Sequence, residues 1–235
     1  DHIHHTGLHG QSKHMGIYLA LQKLAEQGED VPQFGGPWFN STMQEDLICV
    51  NITRAAANAA DRAQLTQAEC RMREDAYKLV ALLRKLYPEF AKASIAEIAA
   101  QGGVRETYHI RGLYTLSGAD ILGGAPCADG VAFCSHPVDI HSAQDNTQTA
   151  QYFDTPCPVP YRVMVAAGFD NLIAAGRCVS CVDEAYASMR VQGTCMAIGE
   201  AAGVAAAMRR ETGCAVTAVN TDDLRARLQK QGAIV

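Results

Sequence analysis

The feature that most constrains the fold is an apolar stretch of small residues over 191–208, in the last fifth of the sequence. Its length and its alanine and glycine content predict a helix over residues 190–210. Gly193, Gly199 and Gly203 lie inside it, and each interior glycine costs a helix about 1 kcal/mol relative to alanine. We therefore expect another backbone or a ligand to approach this helix closely.

The same stretch is not expected to cross a membrane. Glu200 lies near its middle, and alanine and glycine outnumber the large aliphatic and aromatic residues that a bilayer core favours. The sequence therefore predicts a tightly packed helix of a soluble protein.

A short apolar strand over residues 171–175 (NLIAA) is predicted before this helix, with a turn at Gly176. The start of the helix presents unpaired backbone N–H groups and the positive end of the helix dipole. Both suit a pyrophosphate or the anionic edge of a reduced flavin. The alternative explanation for the glycines is a helix packed tightly on a sheet.

Local patterns in the rest of the chain predict a mixed α/β fold. Helices are predicted over residues 15–28, between Thr66 and Pro88, from residue 117 onward and over residues 221–230. Thr66 and Glu69 form a capping-box signal, and Asn220 is a candidate N-cap for the last helix. Strands are predicted over residues 46–53, 94–99, 104–110 and 138–140, with a loop at 35–38.

Composition narrows the classes of partner and the compartment. The net charge is −5 and Lys and Arg are not clustered, so no nucleic-acid partner is expected. The nine cysteines are an odd number with no signal peptide before them, which favours a reducing, cytoplasmic location. Residues 1–14 contain five of the eight histidines and are typical of a tag or a disordered start, so no function is assigned to them.

Several segments in order carry a family resemblance. They are residues 50–54 (VNITR), 103–124, 136–141 (HPVDIH), 159–162 (VPYR), 171–180 (NLIAAGRCVS) and 187–207. Together they resemble the FAD-dependent oxidoreductases built on the glutathione-reductase-type fold. Their joint order is far more specific than any one segment.

The resemblance implies a flavoenzyme in which FAD lies between a Rossmann-like portion and a substrate domain. Residues 15–155 are then a substrate-domain portion, and residues 156–235 are the C-terminal part of the FAD-binding domain. Gly176 and Arg177 would approach the cofactor where the returning strand ends. The flavin end of the long helix would carry Arg190, Gly193, Thr194 and Met196.

One part of the family pattern is missing from the printed sequence. It contains no G-x-G-x-x-G after a strand and no acidic residue about 20 positions further on to hold a ribose. Without this phosphate loop an FAD site loses most of its charge-assisted hydrogen bonds. We therefore expect a C-terminal fragment whose own FAD binding is weak or absent.

The candidates for catalysis are His136, His141, Arg162 and Arg105, because hydride transfer needs a proton donor or acceptor and often a cation. His141 is the first choice for acid/base work; the alternative is a buried histidine that donates to a backbone carbonyl. Arg162 is a candidate substrate anchor or an interface ion pair. Arg105 and Glu106 would point to opposite faces of a strand, and Arg105 is favoured for the cleft.

Cys178 and Cys181 form a C-x-x-C motif that raises the alternative of a redox dithiol. In thioredoxin-like sites such a pair opens a helix after a strand, whereas here it follows a Gly-Arg turn. Structural cysteines are the favoured interpretation. No second C-x-x-C or histidine pair supplies a zinc site, so no metal is predicted.

The resemblance thus implies part of an FAD-dependent oxidoreductase that transfers hydride between FAD and a small organic substrate. Two alternatives stay open. One is a non-catalytic truncated domain that forms a homodimer through an exposed apolar surface. The other, which has less support, is a thiol oxidoreductase that uses the C-x-x-C pair. No membrane partner is expected.

Overall fold

The computed structural model describes residues 11–123, 127–142 and 146–235. Over this part of the chain there are six α-helices and six β-strands, and the strands form three two-stranded sheets. The predicted α/β class is therefore confirmed.

The chain divides into two compact units. Unit 1 falls within residues 1–105 and 142–146, and unit 2 within residues 106–141 and 147–235. The division into a substrate portion and a cofactor portion near residue 155 concerns function rather than compactness, so it stays a prediction.

Unit 1 combines two helices with one pair of strands. Its elements are α1 (Gln11–Glu26), β1 (Phe34–Ser41), β2 (Ile48–Thr53) and α2 (Arg62–Leu86). β1 and β2 pair antiparallel, and α1 packs on β1 while α2 packs on β2. Apolar side chains from all four elements and the turn after α2 form one core, made of Ile17, Leu21, Phe34, Phe39, Ile52, Leu79, Leu82, Leu83 and Phe90.

The loop predicted at residues 35–38 is wrong, because these residues lie inside β1. The register between β1 and β2 is irregular between Phe34 and Trp38, and Gly36 has a positive φ of 78°. An irregular register accommodates glycine and proline in a strand, since those residues need not keep the regular ladder.

The capping box predicted at Thr66 is also wrong, because α2 begins one turn earlier. Asp61 caps it by accepting hydrogen bonds from the backbone N–H groups of Ala63 at 2.9 Å and Gln64 at 3.3 Å. The Thr66 hydroxyl instead donates to the Arg62 carbonyl at 2.8 Å. The predicted end before Pro88 is confirmed.

The strands predicted at residues 94–99 and 104–110 are wrong, because both segments are irregular. Side chains of α2 satisfy carbonyls around the first segment: Arg84 Nε donates to Ala93 O at 2.7 Å, and Arg73 Nη2 donates to Ala100 O at 2.9 Å. In the second segment, Ile110 N donates to Cys178 O at 2.8 Å. Backbone groups satisfied in this way need no strand partner.

Unit 2 contains the remaining elements. They are α3 (Gly118–Gly123), β3 (Gly130–Cys134), β4 (Val138–His141), β5 (Gln148–Gln151), β6 (Cys157–Pro160), α4 (Asp183–Met189), α5 (Gln192–Thr212) and α6 (Thr221–Lys230). β3 pairs with β6 and β4 with β5, both antiparallel. α5 and α6 pack on β3 and on each other, and α4 packs on β4.

The strand predicted at residues 171–175 is wrong in its extent. Only an isolated antiparallel bridge joins Val165 to Ile173, although Ala174 N still donates to Met164 O at 2.8 Å. The turn at Gly176 is confirmed by its positive φ of 81°, which glycine adopts without steric cost.

The Gly/Ala-rich helix predicted over residues 190–210 is confirmed as α5. It ends at Gly213, which adopts a left-handed conformation with φ 70°. The last helix has the bounds predicted for it, since α6 spans Thr221–Lys230.

Asn220 sets the start of α6, because its side chain accepts from Asp222 N at 3.0 Å and Asp223 N at 3.1 Å. Replacing Asn220 with alanine is expected to lower the free energy of unfolding by about 1 kcal/mol, since it leaves those N–H groups uncapped. Urea unfolding followed by circular dichroism measures the change. Asn220→Asp is the matched control and should stay close to wild type. Equal losses in both variants would contradict the capping role.

Candidate functional site

The start of α5 is a backbone surface with no side-chain cap. Val191 is the N-cap residue and makes no side-chain hydrogen bond to the helix. Gln192 and Gly193, the first two helical residues, are exposed. The N–H groups of the first helical turn therefore combine hydrogen-bond donors with the positive end of the helix dipole.

The exposed face of α5 is lined by its glycines. A Cβ atom built on Gly193, Gly199 or Gly203 would meet no described atom within 4 Å. Met196 is on the same face and is 73% exposed. Tight packing within the described residues therefore does not explain these glycines, and their face has room for an approaching group.

Thr194 lies in the first turn of α5 but points the other way. It is buried with 5% exposure. Its side chain belongs to the packed face of the helix, so its backbone N–H is the group that can contribute to a site at this end.

An ion-pair network joins β4 to the segment between α4 and α5. Asp139 Oδ2 accepts a hydrogen bond from Arg190 Nη2 at 2.6 Å and faces His141 Nε2 at 2.8 Å. All three side chains are sheltered, with exposed fractions of 20% for Asp139, 17% for Arg190 and 10% for His141. The structure thus brings two predicted site residues together through a carboxylate that sequence reasoning missed.

A signal for Asp139 was present in the sequence. Asp139 lies in the strand predicted over residues 138–140 and His141 directly follows it, so an extended chain places both side chains on one face. Nothing local indicated Arg190, which lies 51 positions further along the chain.

His136 lies just before β4, where its Nδ1 atom faces the carbonyl of Pro137 at 2.8 Å. Its own carbonyl accepts a hydrogen bond from Ser188 Oγ at 2.5 Å, which ties α4 to this end of β4. The contacts of His136 are thus to backbone and to α4, and the structure does not place it in the Asp139 network.

Arg162 is held by a carboxylate. Its Nε and Nη2 atoms donate to Asp129 at 2.8 and 3.1 Å, and its guanidinium carbon lies 5.1 Å from the centre of the Tyr114 ring. Burial alone would raise the pKa of Asp129, but the hydrogen bonds from Arg162 and Cys127 hold it below its usual range. A cavity of about 580 Å³ in unit 2 is lined by Arg162, Tyr114 and Asp120 among others.

Arg105 belongs to unit 1, whereas the other three predicted catalytic residues belong to unit 2. The strand that was to orient Arg105 and Glu106 does not form. Glu106 instead faces His109 Nε2 at 2.7 Å, and His109 Nδ1 faces the carbonyl of Val179 at 2.8 Å.

Gly176, Arg177 and Cys178 form a short 3₁₀ turn that packs against α5, and Arg177 is exposed. Cys178 is exposed and Cys181 buried, both as free thiols. Burial, with the charges of Glu106 and Asp183, raises the pKa of Cys181 to about 12. A thiol held protonated in this way is a poor nucleophile, so Cys181 is not the attacking thiol of a redox pair. The C-x-x-C alternative stays a prediction.

None of the helices in the described part of the chain is both long and apolar enough to cross a bilayer. Within the same ranges, no group of three or more His, Cys, Asp or Glu side chains is arranged to hold a metal ion.

The start of α5 is uncapped and its glycine face is open, and the sheltered network of Arg190, Asp139 and His141 lies next to it. A site of this type binds an anionic cofactor. Comparison with known proteins identifies the cofactor class. The family model described as FAD dependent oxidoreductase matches residues 6–228, and the chain belongs to that family. No curated protein and no solved structure matches the chain.

The family match confirms the predicted oxidoreductase class and FAD as the family's cofactor. The residues present fit this cofactor, since the α5 glycines leave an open face and the first helical turn offers N–H donors. The narrower resemblance to the glutathione-reductase-type fold stays a prediction.

Proposed function

We propose that this chain supplies the flavin-facing part of an FAD-dependent oxidoreductase that acts on a small organic substrate. The observation that carries the proposal is the open glycine face of α5 beside its uncapped start. Bound FAD would supply two-electron redox chemistry by accepting or donating a hydride. The first-turn N–H groups of α5 would bind and orient its anionic edge, and Gly193 would allow the close approach.

His141 is the proposed acid/base residue. The contact between Asp139 Oδ2 and His141 Nε2 at 2.8 Å orients the imidazole ring. His141 takes the hydroxyl proton of a substrate that loses hydride, or returns it in the reverse direction. Arg190 and Asp139 act as positioning residues. Their ion pair holds the Asp139 carboxylate in place, and that carboxylate contacts the His141 ring.

Gly176 and Arg177 are proposed to contribute to the same cofactor site, because the turn that they form packs against α5. Arg162 lines the 580 Å³ cavity and is proposed to contact substrate there while Asp129 fixes its guanidinium. His136 and Arg105 stay as weaker candidates, since neither belongs to the Asp139 network.

FAD affinity is the first measurement. The printed sequence has no G-x-G-x-x-G loop, so the chain is expected to bind FAD weakly, with a dissociation constant above about 100 µM. Titration of the purified chain, followed by flavin fluorescence and ligand-observed NMR, measures it. A constant tighter than about 10 µM would overturn the view that a G-x-G-x-x-G loop is needed for FAD binding.

The exposed face of α5 also supports a second candidate, in which a copy of the chain covers it and no chemistry takes place. Met196 gives this face a large exposed apolar side chain beside the glycines, with Glu200 exposed on the same face. Sedimentation velocity at several concentrations separates the two. A dimer whose dissociation is unaffected by FAD favours this candidate, and a monomer with saturable FAD binding favours the first.

A further inference from the structure

The apolar stripe of α2 contains one carboxylate. The buried positions along this helix are Ala68, Asp75, Leu79, Leu82 and Leu83. Their helical spacing makes Asp75 a core position, and its side chain is only 6% exposed. An ionisable group at such a position is costly unless it is paired or serves a ligand.

Asp75 is incompletely paired. No described residue donates a hydrogen bond to its Oδ2 atom, which is shielded from solvent. The nearest cation is Arg71, whose Nε lies 3.5 Å from Oδ2 and whose side chain is 62% exposed. Burial raises the pKa of the Asp75 carboxyl, and the positive charges of Arg71 and Lys78 offset only part of that rise.

The carboxylate lines a cavity of about 570 Å³ within unit 1. Part of the cavity wall is apolar and consists of Val31, Pro32 and Cys70. Lys78, which also lines it, is engaged by Asp30 at 2.7 Å. The charged groups of the lining that a ligand would meet are therefore two carboxylates, Asp75 and Glu74, and one cation, Arg71.

We propose that this cavity is a binding site for a small organic ammonium ion with an apolar stem, whose N–H groups donate to Asp75. An ammonium group supplies a second countercharge and N–H donors for the Asp75 carboxylate. A metal ion does not fit, because the described residues include no cluster of metal-ligating side chains. The proposal is independent of the flavin site, since its lining residues belong to unit 1 and the cofactor candidates to unit 2.

The test is a titration of the full chain with n-butylammonium chloride, followed by the backbone amide signals of residues 30–33 and 66–78 in two-dimensional NMR. Saturable shifts in the millimolar range are expected. Tetramethylammonium chloride carries the same charge without N–H donors and should give no saturable shift. Equal responses to the two salts, or no saturable response to n-butylammonium, would overturn the proposal.

Two variants of α2 locate the carboxylate responsible. Asp75→Asn should weaken n-butylammonium binding at least about tenfold, because the amide lacks the charge. Glu69→Gln removes one charge on the same helix outside the cavity lining, where it pairs with Arg73, and should change the affinity less than about twofold. Similar losses in both variants would indicate general charge attraction instead of a site.

Loss of folding does not complicate this comparison. A buried amide costs less than a buried carboxylate with incomplete pairing, so Asp75→Asn should raise the urea midpoint of the free chain. A lower midpoint would show that Asp75 has a structural role and would count against the proposal.

Discussion

Replacing Asp139 with alanine is expected to lower the free energy of unfolding by about 2–3 kcal/mol. The substitution leaves the Arg190 guanidinium, which is 17% exposed, without the carboxylate that it contacts at 2.6 Å. It also removes the partner of His141 Nε2. A sheltered charge that loses its partner keeps its desolvation cost, so the loss exceeds that of a surface pair. Urea unfolding followed by circular dichroism measures the difference.

Asp129→Ala is the matched control in the same unit. Asp129 also binds an arginine, but the Arg162 side chain is 52% exposed and water can solvate it once the carboxylate is gone. The expected loss is therefore about 1 kcal/mol or less. Asp139→Asn should fall between wild type and Asp139→Ala, since an amide oxygen still accepts one hydrogen bond. If Asp139→Ala and Asp129→Ala lower the free energy of unfolding equally, burial from solvent does not determine how much the Asp139 network stabilises the fold.

The helices near the C-terminal end were predictable because their signals are local. The Asn220 side chain caps α6 by accepting hydrogen bonds from the backbone N–H groups of Asp222 and Asp223. Gly213 ends α5 because it adopts a left-handed backbone conformation. Each of these interactions joins residues a few positions apart, so the sequence pattern contains both partners.

The errors arose where distant residues compete for backbone groups. Residues 94–99 have a composition that favours a strand, but arginines of α2 take neighbouring carbonyls that a strand partner would otherwise use. Gly36 and Pro37 indicated a loop, yet an irregular register holds them in β1. In neither case does the local sequence show which competing partner prevails.

The candidate site also has one part that the sequence predicted and one part that it did not. The glycines of α5 were visible in the sequence, because glycine inside a helix is unfavourable without a reason. The pairing of Asp139 with Arg190 depends on how β4 packs against α4, and the open face of the glycines depends on which elements leave α5 uncovered. The sequence therefore indicated where a cofactor approaches, but not which carboxylate orders the residues beside it.

Replacing Gly193 with leucine is expected to weaken FAD binding at least about tenfold, a change of about 1.4 kcal/mol or more. The leucine side chain would occupy the open space where the proposed flavin approaches α5. The fold should tolerate it, because a Cβ at this position meets nothing within 4 Å and leucine favours a helix more than glycine does. Ligand-observed NMR with FAD in the millimolar range detects binding of the weak strength expected.

Ala207→Leu adds the same side chain to the exposed face of α5 about 21 Å further along the helix, at 1.5 Å per residue. FAD affinity should stay within about twofold of wild type there, since the cofactor is proposed to approach at the helix start. If both variants lose FAD binding equally, the cofactor does not select the start of the helix. If neither does, Gly193 does not face the flavin, and the glycines of α5 serve a contact with another polypeptide. A shift of the sedimentation coefficient in both leucine variants would support that outcome.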